Sequence, residues 1–131
     1  MHLSLSLFHI FIIAPFFIYV AVVRGQLTPW IFSILQILGI LLLIYHSYKT
    51  VIRWKANSQF VWINIFHLVL VAPLLIFIGN TGYDTPRWAY ELLAMLGFSA
   101  LGYHLYSIVM DIQKMKVDDK KEGTTFTSDI K

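Results

Sequence analysis

Four apolar runs, each about twenty residues long and separated by short polar loops, limit this chain to very few folds. They extend from about Leu3 to Val23, Pro29 to Tyr48, Gln59 to Gly79 and Pro86 to Met110. An α-helix of roughly 20 residues rises far enough to cross ~30 Å of hydrocarbon. Thr28-Pro29 and Thr85-Pro86 have the form of helix starts, a capping hydroxyl followed by proline at the first helical position. Composition agrees. Of 131 residues, 58% are hydrophobic and 13% charged, about half the charge of a typical soluble chain. So few charges cannot coat a globule, which excludes a soluble monomer and makes the lipid bilayer the expected partner. The predicted fold is an all-α integral membrane protein of four transmembrane helices.

Lysine and arginine predict the orientation. With an even number of spans, the termini and the middle loop share one side. That side holds Lys49, Arg53, Lys55, Lys114, Lys116, Lys120, Lys121 and Lys131, and the other holds Arg24 and Arg87. Both termini are therefore expected in the cytoplasm or its equivalent, and the net charge of +3 is read as topology, not nucleic-acid binding. Trp30 and Trp88 then mark the outer interface, Trp54 and Trp62 the inner one. The start of the first run carries no Lys or Arg and no small-residue cleavage site precedes Arg24, so this run reads as a retained span, not a signal peptide.

The chain also repeats itself. Shifting the sequence by 58 residues lays Phe8-His9 on Phe66-His67, Ala14-Pro15 on Ala72-Pro73 and Trp30 on Trp88. The same shift lays Leu38-Gly39 on Leu96-Gly97 and Tyr45-His46 on Tyr103-His104. Chance matches of Leu with Ile are easy, whereas joint matches of His, Pro, Trp, Gly and Tyr are not. The expected organisation is a first hairpin repeat over 1–58, a second over 59–111 and a polar cytoplasmic tail over 112–131, mobile unless a partner orders it. Two hairpins entering in the same direction are parallel repeats, related by a pseudo-twofold axis along the membrane normal. Pro15 and Pro73 lie mid-run and predict kinks.

His9, His46, His67 and His104 carry the main functional signal. All four fall roughly 6 to 12 Å inside the cytoplasmic helix ends, at one depth. Ionisable groups inside a span are costly and point to function. Ser6 and Asn64 stand three residues before His9 and His67; Gly39 and Gly97 stand seven before His46 and His104, where a close helix or a flat ligand fits. Arg53 and Asp111, seven residues after His46 and His104, are placed to pair.

Three readings stay open. The leading one is a cofactor site in which the four histidines, with Gly39 and Gly97, hold haem b or a transition metal such as Cu or Fe for electron transfer, metal handling or sensing. The second is an oligomeric ion or proton channel or transporter using the same histidines, with Glu91, Gln36, Asn64 and Ser6 along the path. For Glu91 a local pair with Arg87, four residues back, is the plainer reading. The third is a structural subunit of a larger membrane assembly, docked through its tail. Without cysteine, disulfides, thiolate metal sites and iron–sulfur clusters are excluded. No P-loop, GxGxxG, GxSxG or HExxH motif occurs, and no catalytic residue is assigned.

Overall fold

The structure is a computed structural model that describes residues 3–128, with side chains to Val117. Lys131 lies outside the described residues, and the side chains of Lys120 and Lys121 do as well. Four helices are long and apolar enough to cross a membrane: α1 (Leu3–Gln26), α2 (Pro29–Lys55), α3 (Val61–Asp84) and α4, whose apolar part is Arg87–Val117. The described residues contain no strand. The α4 backbone continues helically to Ser128, into the polar tail.

The ends of the helices follow local chemistry. Pro29 opens α2 with no N–H to leave orphaned, but Thr28 makes no side-chain capping bond. Thr85, the other expected cap, turns its hydroxyl back to the Gly82 carbonyl (2.6 Å). At the end of α2, Asn57 adopts φ +49°. Ser58 N–H then bonds the Arg53 carbonyl and Asn57 N–H that of Trp54, both at 3.0 Å, closing a Schellman motif.

Pro15 and Pro73 act through wide turns. His9–Ile13 and His67–Val71 are π-helical, and the N–H groups of Ala14 and Ala72 reach five residues back to the carbonyls of His9 and His67. A proline has no N–H and crowds the carbonyl four residues back, so the preceding turn widens. Both proline rings face outward.

Backbone packing joins α1 to α4 and α2 to α3 along their lengths, whereas α1 and α2, and likewise α3 and α4, approach each other far less. The core fills the half of the bundle nearest the turns Arg24–Leu27 and Gly82–Thr85. Val20, Leu35, Leu75, Ile78 and Leu93 are fully buried there, one or more from every helix. In the other half the packing thins to Ser6, Ile10 and Asn64. That half holds the histidines.

Candidate functional site

Each histidine of a π-turn is fixed by its own helix. His9 Nδ1 donates to the Leu5 carbonyl at 2.8 Å, and His67 Nδ1 donates to the Ile63 carbonyl at 2.7 Å. A carbonyl only accepts, so both neutral rings carry their proton on Nδ1 and leave Nε2 with its lone pair. The other two histidines are held across a helix contact. His46 on α2 stacks on His67 of α3 with ring centroids 4.3 Å apart and planes within 13°. Its Nδ1 also meets Asn64 Oδ1 at 3.1 Å. Asn64 and His67, three residues apart on α3, therefore grip one ring from two sides. His104 on α4 repeats this on α1: it stacks on His9 at 4.3 Å and 27°, and its Nδ1 meets Ser6 Oγ at 3.2 Å.

The four histidines thus form two stacked pairs, one at each long helix contact, and all four rings are half-buried.

Within a stacked pair the rings are not placed to share the haem iron or the copper or iron ion expected. A metal lies in the plane of an imidazole, on a nitrogen lone pair. Two rings lying face to face direct those lone pairs side by side and do not clamp one iron between them. Among the described residues no group of three or more His, Cys, Asp or Glu side chains is placed to hold a metal ion.

Gly39 and Gly97 are occupied by neighbouring helices, not by open space for a flat ligand. A Cβ on Gly39 would stand 2.7 Å from Ile76 Cγ1 and 3.0 Å from the Ala72 carbonyl oxygen. One on Gly97 would meet Ile18 Cγ1 at 2.9 Å and the Ala14 carbonyl oxygen at 3.2 Å. These are the same contacts 58 positions apart, and they let α2 lie on α3 and α4 on α1.

The expected outward polar route comes apart. Glu91 is exposed and pairs with Arg87 at 2.5 Å, the plainer of its two readings. Gln36 donates to Asn80 Oδ1 at 2.7 Å across α2 and α3. Between them and the histidines lies the apolar core. Arg53 donates to the Phe60 carbonyl (3.3 Å) and, among the described residues, forms no ion pair with Asp111. Sequence reasoning missed Asn80 and the π-turns; the signal for the turns was the spacing of each histidine six residues before a proline.

Comparison with protein-family models, with curated proteins and with solved structures returns no match.

Proposed function

We propose that the chain is an integral membrane protein of two parallel-related hairpin repeats, termini cytoplasmic, whose four histidines are the proton-responsive element of an oligomeric ion or proton channel or transporter. The observation that carries this reading is the stacking of His46 on His67 and of His9 on His104, each at 4.3 Å. An imidazole changes charge near neutral pH. Protonating both rings of a pair puts like charges at that separation, a repulsion of roughly 4 kcal/mol at an effective dielectric constant of about 20. That repulsion acts at the contacts α1·α4 and α2·α3, which join one repeat to the other. The apolar core near the turns contains no titratable side chain except Tyr90, so it stays closed while the histidine half loosens. That core also blocks a path through a single bundle, and conduction then runs between copies.

The repeat reading is supported by pairing geometry that recurs at positions 58 apart. The membrane reading is supported by the exposure of Trp30, Trp54, Trp62 and Trp88 near the helix ends.

The test is flux from liposomes holding the full chain, measured for protons, alkali cations and chloride as the pH falls through the histidine range. Flux rises on acidification in the wild type, and the pH dependence disappears in the double variant His46→Phe, His67→Phe. An acid-independent flux, or none under any condition, rejects the reading.

A further inference from the structure

The two histidine pairs differ in what surrounds them, and the difference concerns charge. Around the α2·α3 pair those helices bring no carboxylate: the chain carries neither Asp nor Glu from Pro29 to Tyr83, and Asp84 stands at the opposite end of α3. The charged side chains that follow His46 on α2 are all cationic: Lys49, Arg53 and Lys55. Lys49 lies over the Tyr45 ring at 5.9 Å. The α1·α4 pair differs, because α4 brings Asp111 seven residues after His104, at the position matching Arg53. A protonated His46 and His67 would thus be two cations with no anion near them on the helices that carry them. In a low-dielectric setting such charges need a partner.

Asn64 supplies the second observation. It is 3% exposed, and its Nδ2 is buried with no hydrogen-bond partner. Protonated His46 has two N–H donors and no acceptor, so Asn64 must offer it Oδ1 and turn Nδ2, a donor, elsewhere. A buried donor without an acceptor costs about 1–3 kcal/mol. Its counterpart in the other repeat is Ser6, a smaller side chain with different capacity.

We infer that His46, His67, Asn64 and Arg53 form a binding site for a small inorganic anion of the chloride class, filled when the histidines are protonated. This rests on the proton-responsive reading above and adds its ligand. The anion supplies the missing counter-charge and accepts from Asn64 Nδ2. A small ion is specified because Asn64 is buried inside the bundle, out of reach of a bulky headgroup. The site belongs to the α2·α3 pair, since α4 carries a carboxylate, Asp111, at the position that matches Arg53.

The experiment is chloride-35 line broadening on the purified full chain at about pH 5 and about pH 8, with histidine protonation followed by NMR in the same samples. The expected result is severalfold excess broadening at the lower pH only. It is lost in Asn64→Ser, which keeps the side chain that Ser6 provides at the matching place, and in Arg53→Gln, and it is retained in Ser6→Ala. If the histidines protonate and chloride does not broaden, or if broadening survives both losses, the anion site is overturned while the proton-responsive reading stands. If His46 and His67 stay neutral at the lower pH, both fall.

Discussion

Gly79 of α3 lies against the backbone of Gln36 on α2: a Cβ on Gly79 would stand 2.7 Å from Gln36 N and 2.8 Å from its Cα. Nothing flexible is available to move there, so Gly79→Ala must push the two helices apart. The Gln36–Asn80 bond one residue away goes with them. The expected loss is about 1–3 kcal/mol, read from reversible unfolding in mixed detergent. Gly25→Ala, where a Cβ meets nothing within 4 Å, is the control and leaves stability unchanged.

Arg24 and Gly82 hold matching positions at the ends of α1 and α3, with φ/ψ of 45°/−114° and 56°/−125°. Only glycine adopts that backbone without strain. Arg24→Gly should therefore stabilise the protein by about 1 kcal/mol, less what the 3.2 Å bond from Arg24 Nε to the Ala21 carbonyl contributes. Gly82→Ala should lose a similar amount. A rise for the second variant in the same unfolding assay would contradict the assignment of strain.

Pro73→Ala restores a backbone N–H at the end of the π-turn His67–Val71. The turn is expected to tighten to regular helix, which rotates His67 away from His46. Because Pro73 faces outward, its ring costs little to remove. Loss of the ring-current shifts of His46 and His67, with stability changed by less than about 1 kcal/mol, is the expected outcome. Unaltered shifts would mean that packing, not proline, widens the turn.

Glu91→Gln breaks the Arg87–Glu91 pair, half of which is open to solvent or headgroups. An exposed i, i+4 pair is worth less than about 0.5 kcal/mol. Stability and liposome flux should both remain at wild-type levels. Abolished flux would instead return Glu91 to the conduction path.

The four helices were legible in the one-dimensional pattern, because runs such as Gln59 to Gly79 have a length and polarity that leave no other regular structure satisfied in hydrocarbon. The glycine positions were half legible. The spacing put Gly39 and Gly97 on the histidine stripe, but whether a helix or a ligand fills the space depended on Ile76 and Ile18, which come from another helix. The helical backbone of the tail to Ser128 was not legible in its polar composition: α4 is already nucleated at Arg87, and extension costs far less than initiation.

Which residues recur, which are titratable and how deep they lie are properties of one chain segment, and the order of residues alone fixes them. Pairing is different. That His46 stacks on His67 and His9 on His104, with Asn64 and Ser6 as their clamps, depends on α2 choosing α3 and α4 choosing α1 as close neighbours. That choice is made by shape, where Gly39, Gly79 and Gly97 let backbones approach, and by the turn that proline forces before it. Neither is a local property. The same four imidazoles pointed at a common centre would be one ligand set; laid face to face, they are two stacked pairs, one at each long helix contact.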